Sequence, residues 1–150
     1  MLPDNDGQDT YHTIDQNIHP FRPIDIQLPD DGTGVVYIII SCQYPDISYI
    51  GQTINLSRRI DQHNSRCGSY QTSSVELQPW LLLAYVAGFG NSVSKRKAFE
   101  SQWKQARERE SAHLTIEGIA DLATMVISMR KNDDRQEDLR YIRTGTYVIV

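Results

Sequence analysis

Six consecutive residues, Val35, Val36, Tyr37, Ile38, Ile39 and Ile40, are all β-branched or aromatic. Side chains stiff at χ1 suit a pleated strand better than a helix. A strand apolar on both faces is buried on both, so this run reads as the central strand of a small sheet. The rest of the chain arranges itself around it. Proline cannot donate to a ladder, so Tyr44-Pro45-Asp46 marks a loop. Ser48-Tyr49-Ile50-Gly51 then reads as a short second strand, antiparallel to the first. Asn55 is a natural N-cap for a helix over residues 56–64, with Leu56, Ile60 and His63 on one side. Residues 65–78 are polar and irregular, a long loop. Pro79 precedes a third strand over residues 80–87, ended by Gly88-Phe89-Gly90.

Asn91 or Ser92 caps the next helix, predicted to run to about residue 109 with Val93, Ala98, Phe99, Trp103 and Ala106 as its apolar positions. Ile116, Ile119, Ala120, Ala123, Met125 and Ile127 predict a further helix. Residues 132–138 form a charged connection, and residues 147–150 suit either an edge strand or a sticky end. The order β-β-α-β-α-α predicts an α+β fold, a small three-stranded mixed or antiparallel sheet flanked by helices.

A chain of 150 residues accommodates one compact domain with tails. Residues 1–32 read as an acidic, poorly ordered arm with an extended stretch near residues 21–28, residues 33–110 as the domain, and residues 111–150 as a helical extension packed on it. Two cysteines, Cys42 and Cys67, are too few for a disulfide framework or a Cys-rich zinc module. No apolar run reaches transmembrane length, and the first residues lack the pattern of a secretory signal. The expectation is an intracellular protein without a membrane partner.

The net charge of −4 argues at first against a nucleic-acid partner. Its distribution reverses that. Residues 1–32 carry seven acids against one base, a balance of −6, which leaves +2 for the remainder. Within residues 33–110 nine bases face six acids, and six of those bases lie between Lys95 and Arg109. Screening confines each charge to roughly 8–10 Å, so a locally basic face on an acidic chain still attracts phosphate.

The residues with chemical potential fall in a recognisable order. Val35-Val36-Tyr37 is followed after eleven residues by Tyr49-Ile50-Gly51; Arg59 and His63 stand ten and fourteen positions beyond Tyr49. A Phe99-Glu100 pair lies in the helix after the third strand. This set resembles the signature of the GIY-YIG endonuclease superfamily. In its loop details, from Ile50 through Gln52 to Asn64 and at Gly88-Phe89, it is similar to the nuclease domain of the eukaryotic structure-specific junction endonucleases, with the N-terminal domain of UvrC more distant. The resemblance covers residues 34–109. It implies a metal-dependent DNA endonuclease selective for branched or flapped DNA, acting in repair, recombination or replication, and nuclear in a eukaryote or in a virus of one, otherwise cytoplasmic. It implies Tyr37 as general base, alone or through His63, Tyr49 orienting phosphate or water, Arg59 stabilising the pentavalent state, and Glu100 holding one Mg²⁺ or Mn²⁺.

The residue types suit these tasks. Phosphodiester hydrolysis needs a base for water, charge relief on the phosphoryl oxygens, and help for the leaving oxygen. Tyrosines on adjacent strands can share one face. Arg59 and His63, at i and i+4, share one helix face. A guanidinium forks onto two phosphate oxygens where an ammonium offers a point charge. Imidazole relays protons near neutral pH. One carboxylate plus water and phosphate suits a hard cation. Gly51, Gln52, Arg58, Arg66, Lys95, Arg96 and Lys97 are the expected DNA contacts, Gly51 by allowing close backbone approach.

Taken singly, each residue has an ordinary reading: strand tyrosines are commonly core, an Arg-Arg pair is commonly a wet helix face, and Glu100 pairs readily with Lys104 or Arg96 at i,i+4. The spacing as a set favours catalysis. Three departures from the pattern stand out. Gly34 lies one place early, no asparagine follows Glu100 before Asn132, and the two cysteines are too few for the C-terminal zinc module of the junction endonucleases. Other readings stay open: a sequence-specific restriction or homing enzyme of the same superfamily, a non-catalytic DNA-binding or partner-recruiting module, and an interaction domain working through the acidic arm. A protein scaffold as partner is not defined by these residues.

Overall fold

The computed structural model describes residues 18–23, 28–29, 32–65, 72–132 and 138–149. Within it, the strand run predicted around Tyr37 is β2 (Val35–Ser41), preceded by a short strand β1 (Ile18–Pro23). β3 (Ser48–Thr53), α1 (Leu56–His63), β4 (Trp80–Ala87) and α2 (Val93–Glu110) follow. α3 (Ile116–Asn132), β5 (Arg140–Arg143) and β6 (Gly145–Ile149) complete the order. The main sheet has four strands in the order β3-β2-β4-β5, with every neighbouring pair antiparallel.

All seven residues of β2 are buried, which is why its sequence shows no alternation. Val36, Ile38 and Ile40 join Ile50, Leu83, Ala84 and Val86 on one face, covered by Phe99, Trp103 and Ala106 of α2 and by Ile119, Ala120, Ala123 and Val126 of α3. Val35, Tyr37 and Ile39 look the other way, towards Leu56 and Ile60 of α1 and Trp80, Tyr85 and Ala87 of β4. A register shift opposite Ile38 and Ile39 marks a bulge in β4. It lets the consecutive residues Leu83 and Ala84 both enter the α2 side of the core.

The helix starts are capped as the residue types suggest. The Asn55 side chain accepts from the Arg58 N–H at 3.0 Å, and Ser92, rather than Asn91, accepts from the Lys95 N–H at 3.2 Å.

Two features differ from the sequence expectation. The sheet has four strands instead of three, because β5 adds to the edge of β4. Its flanking arginines disguise it as a charged segment, yet Arg143 turns onto α3, with Nη2 at 2.5 Å from Glu117 and Nη1 at 3.1 Å from Asp121. The Tyr141 hydroxyl donates to the same Asp121 carboxylate at 2.7 Å. The last strand, β6, pairs not with the main sheet but antiparallel with β1 in a separate two-stranded sheet. The rest of the expected arm before Ile18 lies outside the described residues, as do Arg66 and Cys67.

The Arg143 staple should be measurable. Arg143→Ala leaves two partly buried carboxylates without their cation and should lower the urea-unfolding stability by about 1–2 kcal/mol. A variant as stable as the parent would show that these ion pairs contribute nothing to holding β5 on α3.

Candidate active site

The register of β2 and β3 sets the first two groups. Tyr37 lies opposite Gly51, and Ile39 opposite Tyr49, so the two phenols are diagonal neighbours on the α1 face. Their ring centroids are 6.4 Å apart. The Tyr37 ring reaches across β3 through the gap that Gly51 leaves. A Cβ at position 51 would stand 2.6 Å from the Tyr37 hydroxyl and 2.9 Å from Cε1 of Tyr49. Packing of the phenols therefore requires glycine here, a different reason from the close substrate approach expected of it.

Helix α1 brings the next two groups. Leu56 and Ile60 dock its apolar side, and His63 at its end is fully buried. The imidazole stands edge-on to both tyrosines, at 5.7 Å from Tyr37 and 5.1 Å from Tyr49. Its Nε2 is 2.6 Å from the Tyr37 hydroxyl and its Nδ1 is 2.7 Å from Oγ1 of Thr72. One turn earlier, Arg59 is half-buried and donates to Gln62 at 2.8 Å. Its charge reaches both Tyr37 and His63. Arg58 is exposed and turned to solvent.

Helix α2 packs its core residues on the opposite face of the sheet but runs beside the edge strand β3. Arg96 Nε donates to Gln52 at 2.9 Å at one end of β3, and Arg107 Nη1 lies 3.3 Å from the Ser48 carbonyl at the other. Glu100 sits between them. Its carboxylate receives the Lys104 ammonium at 2.5 Å, and that ammonium lies 6.0 Å from the Tyr49 ring centroid. The Glu100 charge is also felt at the Tyr37 phenol. Glu100 thus pairs with Lys104 while its charge reaches the tyrosine pocket across the sheet edge.

Residues 33–113 match the profile described as the GIY-YIG catalytic domain. This chain belongs to the GIY-YIG family. Among similar curated proteins are the structure-specific endonuclease subunits SLX1 of three fungi. The Neurospora crassa protein is 33% identical over 88 residues, 57% of this chain and 21% of the relative. The Podospora anserina protein is 36% identical over 84 residues, 55% of this chain and 23% of the relative. The Chaetomium globosum protein is 31% identical over 109 residues, 71% of this chain and 31% of the relative. The chain thus spans between about a fifth and a third of the length of these relatives.

The GIY-YIG match takes in β2 through α2, the elements that carry every group of the pocket. Among the expected DNA contacts, Lys95 and Lys97 are exposed on the first turns of α2. Arg96 between them requires correction. It is 2% exposed and crosses Gly34, where a Cβ would stand 2.1 Å from its Nη1. Bound to Gln52 and buried, it ties α2 to the sheet rather than offering its guanidinium to a phosphate. Gln52 is correspondingly engaged. Two neighbours of the pocket, Thr72 and Lys104, escaped the sequence reading as site residues. Thr72 lies in a polar loop without periodicity, and only the fold shows what it touches.

The electrostatics follow from burial. Desolvation pushes the Tyr37 phenol well above its ordinary value, with Tyr49 and Glu100 adding to the rise and Arg59 opposing it. Desolvation, assisted by the Arg59 charge, pushes His63 from 6.5 down to about 4. At neutral pH the imidazole is therefore neutral and holds a single ring proton. Among the described residues no group of three or more His, Cys, Asp or Glu side chains is placed to hold a metal. Glu100 alone fits a hard cation that keeps water and phosphate oxygens as its remaining ligands, and the Lys104 ammonium shows that the carboxylate accepts a positive partner there.

Burying a neutral histidine carries a pH signature. The unfolded chain binds a proton at position 63 below about pH 6.5, whereas the folded one does not until about 4. Stability contributed by this group is present above pH 6.5 and lost as pH falls through that window, by up to about 3 kcal/mol. Urea midpoints of the parent should fall more steeply between pH 7 and 4.5 than those of His63→Gln. Parallel curves would contradict the burial of His63 in its neutral form.

Proposed function

We propose that this chain is a divalent-metal-dependent DNA endonuclease, selective for branched or flapped DNA. The observation that carries this reading is the buried Tyr37–His63 hydrogen bond, at 2.6 Å, beside Arg59, Tyr49 and Glu100 in a GIY-YIG domain. The choice of branched DNA rests on the names of the similar proteins, which are structure-specific endonuclease subunits. A protein partner is proposed on the same ground. Catalysis is assigned to residues 33–110, with residues 1–32 and 111–150 as supporting segments. No helix of the described residues is long and apolar enough to cross a membrane. Work on DNA then places the protein in the nucleus of a eukaryotic host, or in the cytoplasm of a cell without one.

The residues divide the reaction as follows. A phenol this hard to ionise is a base only if its own proton leaves as it gains another. His63 Nε2 is placed to take that proton, so Tyr37 can remove one from water without passing through a free phenolate. Tyr49, packed against the same imidazole, orients water or phosphate by its hydroxyl. Arg59 lies on the helix face beside the phenol, where its fork can neutralise two phosphoryl oxygens as negative charge builds on them. Glu100 would hold the divalent ion, Mg²⁺ or Mn²⁺, which when bound supplies Lewis-acid relief to the phosphate and the leaving oxygen. Lys104, which now pairs with Glu100, would have to yield the carboxylate to such an ion. Lys95 and Lys97 contact the backbone of the DNA, a contact that positions without reading sequence.

The test is cleavage of flap, fork, four-way and plain duplex DNA, with and without Mg²⁺ or Mn²⁺. Branched substrates should be cut in preference to the duplex, and only with metal. Glu100→Gln should reduce cleavage at least about 100-fold while binding branched DNA within a few-fold of the parent. Unchanged cleavage by that variant would remove Glu100 from the mechanism, and cutting at one fixed sequence of linear DNA would favour a restriction-type enzyme.

A further inference from the structure

We propose that Thr72 is a positioning residue that holds the His63 proton on Nδ1, keeping Nε2 bare to accept the proton of Tyr37. The proposal rests on the nuclease reading for its consequence, though not for its geometry.

A neutral imidazole carries one N–H, and His63 has a hydroxyl at each nitrogen: Tyr37 at 2.6 Å from Nε2 and Thr72 at 2.7 Å from Nδ1. Only one of them can receive the ring proton. Arg59 decides between them. Its positive charge reaches both the phenol and the imidazole, and the ring dipole is lowest in energy with the bare nitrogen, not the N–H, turned to the side where that charge and the phenol stand. The phenol then sends its own proton to Nε2. The ring proton is then on Nδ1, and Thr72 Oγ1 is the atom that accepts it. The opposite tautomer would turn Nε2–H towards the same positive charge and cost Nε2 its capacity as a base.

Thr72 is held for this purpose by more than its own side chain. It is fully buried. Its carbonyl accepts from Trp80 Nε1 at 3.0 Å, and Trp80 is itself 2% exposed at the start of β4. The Asn64 side chain, next to His63, bonds the Trp80 backbone at both its N–H and its carbonyl. Gln78 donates to the His63 carbonyl at 3.2 Å. Trp80 at the start of β4 and Gln78 just before it thus hold the chain on either side of the imidazole and its acceptor, and a β-branched threonine has few rotamers in which to miss.

In the proton transfer, the Tyr37 O–H bond breaks as Nε2–H forms, and the Tyr37 oxygen takes a proton from water. The imidazolium retains its Nδ1–H bond to Thr72. A neutral hydroxyl behind the ring orients it without the charge a carboxylate would supply. His63 stays a weak base, ready to return the proton.

The test uses the full chain and two variants, Thr72→Val, which keeps the shape and removes the acceptor, and Thr72→Ser, which keeps the hydroxyl. Long-range ¹H–¹⁵N correlation spectra of the histidine rings at pH 7 report the tautomer without any DNA or metal. The parent and Thr72→Ser should show His63 protonated at Nδ1, and Thr72→Val should show Nε2–H or a mixture. Single-turnover cleavage of branched DNA should fall about 100-fold in Thr72→Val and stay within several-fold of the parent in Thr72→Ser. A parent with its proton on Nε2 overturns the proposal even if Thr72→Val fails to fold. So does a Thr72→Val spectrum or rate equal to the parent's. A parent that shows the Nδ1 tautomer but cuts no DNA supports the placement of the proton and sinks the nuclease reading instead.

Discussion

One hydrogen bond joins the central strand to the first helix: Tyr37 to His63, both fully shielded from water. In such surroundings an unmade polar contact costs about 1–3 kcal/mol, so the bond constrains everything that could separate its partners. Gly51 has to stay small for the phenol to lie over β3. Helix α1 has to begin at the right residue, since starting one position later would swing His63 some 100° away from the sheet. The Asn55 cap sets that start. Leu56 and Ile60 hold the helix face against the sheet while Arg59 stays at its wet margin. What looks like a motif of spaced residues is a set of conditions for closing a single buried contact.

Those conditions explain what is legible in the sequence alone. The spacing from Tyr49 to Arg59 and His63 is a helix phase plus a turn, and Asn55 is a local cap, so both are written in short stretches of chain. The double-sided burial of β2 is likewise visible, because it abolishes alternation over residues 35–40. Pairings distant in sequence left weaker marks. β5 was hidden by Arg140 and Arg143, whose charges suggest solvent until Glu117 and Asp121 of α3 are known to meet Arg143. Arg96 sits in a Lys-Arg-Lys run that reads as uniformly wet. Its helix phase, three residues before Phe99 and seven before Trp103, puts it on the buried side instead. Thr72 has no phase at all, and its partner His63 stands nine residues earlier in the chain.

Charge follows the same geometry. The overall balance of −4 says little about the pocket, because the groups that matter are arranged along one edge. Arg96, Glu100, Lys104 and Arg107 recur on α2 at helical spacing and follow β3 from its Gln52 end to its Ser48 end. Within that stripe Glu100 is the one acid, flanked by cations on its own helix. A carboxylate so flanked already receives a positive partner, the Lys104 ammonium at 2.5 Å.

The position of Glu100 shows how the core and the pocket depend on each other. Its neighbour Phe99 is fully buried, packed edge-on against Phe89 at 5.5 Å and Trp103 at 6.0 Å on the α2 side of the sheet. One residue onward turns the helix by about 100°, enough to carry Glu100 off that face and over the edge strand. The sheet ends at β3, with no further strand beyond it among the described residues. A side chain from the helix layer can therefore reach the tyrosines on the opposite face by passing around the edge. Were β3 covered by another strand, Glu100 would be shut away from Tyr37 and Tyr49. The narrow sheet, a weak feature for stability, is thus what allows groups from both of its faces to meet.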